Sequence, residues 1–290
     1  MGPRLFHPLA TIVGLLCGLL AARGAPAAPV TFSASGSTAS SIQSTVDAFR
    51  TALGNPNNGN NPGPLASGRR EINWDGAAGI TNTVGTLTTF TNTRGATMTT
   101  PGTGFVQASP TDLATQLGNA TYATTFAAFS SPRIFTPVGS NVTDITFSVP
   151  GSNGTQPASV SAFGAVFSDV DTNATSISLF DLANSPLGTF SAPSIAGASA
   201  TFSFLGIFFN AGEQIGRVRI TTGSTALGAG VNDGEFDAVA MDDFLYSEPI
   251  PEPGTLALCA LGLGGLGVVG RRRTTTGLWH PGSSRPSPSH

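Results

Sequence analysis

The sequence predicts a mostly β protein: one jelly-roll-like sandwich of antiparallel sheets, led by a single short helix. Three observations predict it. Between residues 142 and 246, apolar stretches of strand length recur regularly, separated by Gly, Asn, Asp and Pro turns and by no helical pattern. Several alternate apolar and polar positions, as in Ile145, Phe147 and Val149 or Phe202 and Phe204, so that each strand buries one face. Charged residues are only 10% of the chain and lysine is absent, which suits short strands and polar turns better than long exposed helices. Regular strands without crossover helices favour a sandwich over a barrel or a parallel fold.

The elements follow in chain order. Arg4 precedes an apolar run from Leu9 to Leu20, and Ala25-Pro26-Ala27 supplies the small residues that a signal peptidase reads, so residues 1–27 are expected to be a cleaved signal peptide. The run is short for a permanent span, which needs about 20 apolar residues. Ile42, Val46, Phe49 and Leu53 fall at helical spacing, with Ser40 or Ser41 as cap and Gly54 as stop, which predicts an amphipathic helix over 40–53. Residues 55–68, rich in Asn, Gly and Pro, read as a surface loop.

The segment Arg69-Arg70-Glu71-Ile72-Asn73-Trp74-Asp75-Gly76 admits two readings. As a strand with Ile72 and Trp74 buried on one face, running into an Asp-Gly turn, it is ordinary core. As an exposed Trp74 flanked by Asn73 and Asp75, it would hold a sugar ring by stacking and hydrogen bonds. Strands are then expected at Val142–Val149, Val160–Phe167, Ser176–Phe180, Leu187–Phe190, Ala200–Phe209, Ile215–Thr221 and Ala238–Tyr246. No repeat or internal linker divides them, so residues 28–248 count as one domain.

Beyond residue 248 the chain reads Ile250-Pro251-Glu252-Pro253-Gly254-Thr255, then an apolar run over 256–270, then Arg271-Arg272-Arg273. The prolines keep the backbone extended and deny it strand or helix pairing, as a segment entering a protease groove requires. The apolar run is expected to insert as a membrane helix, short for a span, and the arginines to hold its far end on the cytoplasmic side. This order of motif, apolar helix and basic cluster resembles the PEP-CTERM sorting tail of Gram-negative bacteria that make exopolysaccharide. The resemblance implies a sorting motif at Pro251, Glu252 and Pro253, a membrane anchor flanked by Arg271, Arg272 and Arg273, and an exosortase-type membrane protease as partner. It also implies transient inner-membrane anchoring and delivery to the cell envelope, cell surface or extracellular matrix. Residues 274–290 continue as a Pro/Ser-rich extension expected to be disordered. The runs Ala162 to Asp171, Arg217 to Ile220 and Met241 to Phe244 are similar to the sandwich domains of many sorted surface proteins of this group, which implies a shape like that of carbohydrate-binding modules.

Charge and residue supply narrow the chemistry. From Ala28 to Glu248 seven arginines face fifteen carboxylates, a balance of about −8 that repels nucleic acid and suits divalent cations or neutral polymers. Cys17, Cys259, His7, His280 and His290 all lie outside this body, so Ser-His-Asp or Cys-His catalysis and histidine-ligated zinc, copper or iron are excluded within it. Calcium held by oxygens survives, with Asp169, Asp171, Asp181, Asp233, Glu235, Asp237, Asp242 and Asp243 as candidate ligands, beside the plain reading of these as solvated turn aspartates. Glycoside hydrolysis needs two carboxylates about 5–9.5 Å apart, one of them desolvated, and nothing marks Glu71, Asp75, Glu213 or Glu235 as the acid. Arg217 and Arg219 point the same way on one strand and are expected to pair with Asp242 or Asp243. The expected role is non-enzymatic: structural, adhesive or glycan-binding, with exopolysaccharide as the polymer at hand. The alternative is a calcium-dependent polysaccharide-degrading enzyme on the same export route.

Overall fold

The computed structural model describes residues 28–76 and 79–251. The expected signal peptide 1–27, Glu252 and Pro253, the apolar run 256–270, Arg271 to Arg273 and residues 274–290 lie outside the described residues. Among the described residues, no helix is long and apolar enough to cross a membrane.

Fifteen described strands form two sheets, and every ladder between them is antiparallel. The first sheet runs β1 (Val30–Gly36), β12 (Phe202–Phe208), β9 (Ala162–Ser168), β14 (Ala240–Ser247), β6 (Ile134–Val138), β5 (Gly104–Ala108) and β3 (Thr81–Val84). A further strand, β2 (Arg69–Ile72), pairs with the C-terminal half of β14. The second sheet runs β11 (Pro186–Ser191), β10 (Ser176–Phe180), β13 (Arg217–Thr221), β7 (Val142–Ser148), β8 (Pro157–Ser159) and β15 (Ile250–Pro251), with β4 (Ala96–Thr99) also on β7.

Alternation explains the packing. Ile177 and Leu179 of β10 and Val218 and Ile220 of β13 point inward, where they meet Phe163, Phe167 and Phe244 of the first sheet in one continuous core. β9 and β14 are buried along their whole length, because the outer face of the first sheet is covered too. Helix α1 (Ala39–Leu53) lies there, with Ile42, Val46, Phe49 and Leu53 against Val166, Phe204 and Leu245. Gly54, at φ 96°, ends the helix as expected. Its start differs: the cap is Thr38, without a side-chain capping bond, and Ser40 and Ser41 lie inside the first turn. Phe49 seats on Gly164 and Gly206, which face each other across β9 and β12; a Cβ on either would come within 2.8 Å of its ring.

Three sequence expectations are corrected. The single expected helix is joined by α2 (Pro110–Leu117) and α3 (Tyr122–Thr125), which cover Val106, Ala108, Ile134 and Ala240. The Ser109 hydroxyl caps α2 by accepting the Asp112 N–H at 3.2 Å, Pro110 opens its first turn and Gly118, at φ 69°, closes it. Arg217 and Arg219 pair not with Asp242 or Asp243 but with Asp144 of β7, at 2.6 and 2.7 Å, because β13 belongs to the other sheet. Burial works to raise Asp144's carboxyl, yet the two guanidiniums hold it below the usual range. Pro251, expected to escape pairing, lies opposite Ala158 in β15. A proline is tolerated there because β15 is an edge strand, where its missing N–H interrupts no interior ladder.

Candidate functional site

At one end of the sandwich, three connections converge: 169–175 after β9, 192–201 before β12 and 222–239 before β14. The strands they flank are neighbours, with Ser168 opposite both Phe202 and Ala240. Asp169, the first residue past β9, has φ 69°, a left-handed turn that Asp tolerates better than most residues. Its side chain is fully buried and neither carboxylate oxygen has a hydrogen-bond partner. The nearby Ala200 N–H donates instead to the Thr125 carbonyl at 2.8 Å. Oxygens of Asp169, Asp171 and Asp233 lie within 4.8 Å of one another.

The two partners are half-buried and held from the 192–201 loop. Asp171 accepts the Gly197 N–H at 2.8 Å, and Asp233 accepts the Ser199 hydroxyl at 3.2 Å. Asp237 is buried behind them and accepts the Asp171 N–H at 3.0 Å, the Thr172 N–H at 3.3 Å and the Thr172 hydroxyl at 2.5 Å. It therefore fixes the turn that carries Asp171. Burial first, then the charges of Asp233, Asp171 and Asp237, push Asp169 up to about 8. Burial, with Asp233's charge adding to it, raises Asp171 as well. An all-oxygen set of this kind holds hard cations.

Asp242 and Asp243 do not join this group. They form a bulge in β14, both buried, where the register to β9 shifts between Met241 and Phe244. Asp242 accepts the Phe129 N–H at 2.6 Å, and the Ser130 hydroxyl lies 3.1 Å from Asp242 and 2.5 Å from Asp243. Arg50 reaches Asp243 at 3.4 Å and Glu71 at 3.0 Å, and Arg69 reaches Glu71 at 2.6 Å. Burial, reinforced by Asp243's charge, holds Asp242 well above the ordinary carboxylate range. Of the remaining acidic candidates, Asp181 is occupied in its own turn, accepting the Ser185 N–H at 2.8 Å, and Glu235 is exposed.

Trp74 follows the core reading rather than the exposed one: it is 1% exposed. Its ring stacks on Phe135 at 3.7 Å, takes Phe244 edge-on at 5.0 Å, and donates its N–H to the Asp242 carbonyl at 3.0 Å. No ring face is left for a sugar. The Asn73 backbone carbonyl accepts from Ser130 and an Asp75 oxygen accepts the Arg133 N–H, while Asn73 itself is exposed. Beside Trp74 lies a cavity of about 330 Å³, lined among others by Asn60, Asn73, Thr89, Phe90, Arg94 and Gln107. Two guanidinium nitrogens of Arg94 are buried without a partner, and burial lowers its pKa. A lone arginine in a Thr- and Asn-rich stretch carried no sequence signal for this.

The chain leaves the body at a fixed point. Glu248 is buried in a two-pronged pair with Arg70, at 2.6 and 2.7 Å, and Arg70 also donates to the Gly59 and Asn61 carbonyls. Pro251 follows in β15, while Glu252, Pro253 and Arg271 to Arg273 lie outside the described residues. No curated protein and no solved structure gives a significant match to the chain. The family model of the PEP-CTERM protein-sorting motif matches residues 249–273, and such a motif implies export, direction to the cell envelope and exosortase processing in general. Starting directly after the pinned Glu248, residues 249–273 make this chain a carrier of the PEP-CTERM protein-sorting motif.

Proposed function

We propose that this is a non-enzymatic protein of the cell surface or extracellular matrix, whose sandwich serves a structural, adhesive or glycan-binding role. A signal peptide over 1–27 delivers it, the apolar run over 256–270 holds it briefly in the inner membrane, and an exosortase-type protease acts at Pro251-Glu252-Pro253. The carrying observation is the sorting motif at residues 249–273, placed directly behind a folded body.

The body's chemistry supports a binder over a hydrolase. Residues 28–248 contain neither histidine nor cysteine. The carboxyls most strongly raised, Asp169 and Asp242, are fully buried, and a general acid must touch the glycosidic oxygen. The cavity beside Trp74, lined by amide, hydroxyl and guanidinium side chains and by Phe90, is near the lower limit for a small-ligand site and suits one sugar unit. The test is the intact mass of the protein recovered from the cell surface and medium, in strains with and without the sorting protease. Loss of both ends, the C-terminal one only where the protease is present, is the expected result; a tail retained in both strains overturns the sorting reading.

A further inference from the structure

We infer that Asp169, Asp171 and Asp233 form a calcium site that clamps three loops at one end of the sandwich. The site stands whether or not the tail is processed. Asp169 carries it. A fully buried carboxylate with no hydrogen-bond partner is strongly unfavourable by itself, and here it faces two further carboxylates within 4.8 Å. Like charges so close oppose one another's ionisation unless a cation joins them. The protein supplies none from within: among the described residues, no ion pair involves Asp169, Asp171, Asp233 or Asp237.

The donor set selects the ion. Every side-chain ligand is a carboxylate oxygen, and the body has no imidazole or thiolate to favour zinc or copper. Calcium takes six to eight oxygens in irregular geometry and accepts water to complete its shell, whereas magnesium demands a near-ideal octahedron. The half-buried Asp171 and Asp233 leave the outer side of the site open to solvent for entry and for those waters. Asp237 is a positioning residue here, since its own oxygens are taken by Asp171 and Thr172. The ion would tie loop 169–175 to loop 222–239 directly. Loop 192–201 joins through the Gly197 and Ser199 bonds.

The test uses the purified full-length chain, stripped with a chelator and then titrated with calcium chloride by calorimetry and thermal melting. One calcium per chain is expected, and at a hundredfold excess over Kd the melting temperature should rise by about 5–10 °C. Asp169→Asn and Asp233→Asn should each abolish that rise. In chelator Asp169→Asn should melt at or above the wild type, because it removes a buried carboxyl whose ionisation its neighbours oppose. Asp171→Asn, at a half-buried position, repeats the test if Asp169→Asn fails to fold. A wild type that takes up no calcium, a rise that survives Asp169→Asn and Asp233→Asn, or an equal rise with magnesium chloride overturns the assignment.

Discussion

Asp242 is a carboxyl group buried from water in the central strand of a sheet, beside a second one, with a backbone N–H and one hydroxyl to serve it. Its folded-state pKa lies well above the ordinary value, so the folded protein binds a proton that the unfolded chain releases. The stability it contributes is complete below about pH 4, the unfolded value, and is lost as pH rises toward the raised folded value. Asp242→Asn removes that loss: the variant should be more stable than the wild type at neutral pH, with the difference vanishing toward pH 3. Urea unfolding midpoints across that range measure it, and a difference independent of pH would contradict it. Glu248 is buried as well, but both of its oxygens are engaged by Arg70. Glu248→Ala leaves the buried guanidinium uncompensated and should cost about 3–5 kcal/mol in chemical denaturation.

Elements here are specified by two faces at once. The α1 spacing of Ile42, Val46, Phe49 and Leu53 was legible because a helix on a sheet repeats its apolar side every turn. The strands over 142–246 were legible from alternation and turn residues. By contrast β3, with Thr81 to Val84 for its whole length, is too short and polar to show a period; β5 holds its place through the ladder to β6. Helix α2 carries full capping chemistry but only Leu113 and Ala114 on its buried side, so its signal was local and its periodicity weak. Least legible was the contact between elements. Nothing in the sequence says that Gly164 and Gly206 are small for Phe49's sake, yet their geometry makes a prediction. Gly206→Ala drives a methyl into that ring and should destabilise by about 1–3 kcal/mol, and Phe49→Leu in the same chain should recover part of it.

Across the molecule, sequence and structure divided the work by distance along the chain. The sorting tail is a contiguous motif and was readable residue by residue. The acidic site is not contiguous. Asp169, Asp171, Asp233, Asp242 and Asp243 were all among the ligand candidates, but the fold sends Asp242 and Asp243 to Ser130 and Arg50 and gathers only Asp169, Asp171 and Asp233. Only the pairing of β9 with β12 and β14 decides which loops share an end. The exit of the chain has a mechanical consequence. Before processing, a tail held in the membrane would pull on residue 251. The two-residue β15 lies at an edge and would peel from β8 under small loads, lengthening the leash without harming the body. Beyond it the load meets the Arg70–Glu248 clasp and then β14, which is bonded along both sides and must be sheared rather than unzipped. Under such a load the body would answer as a slack link followed by a stiff one and would not unravel.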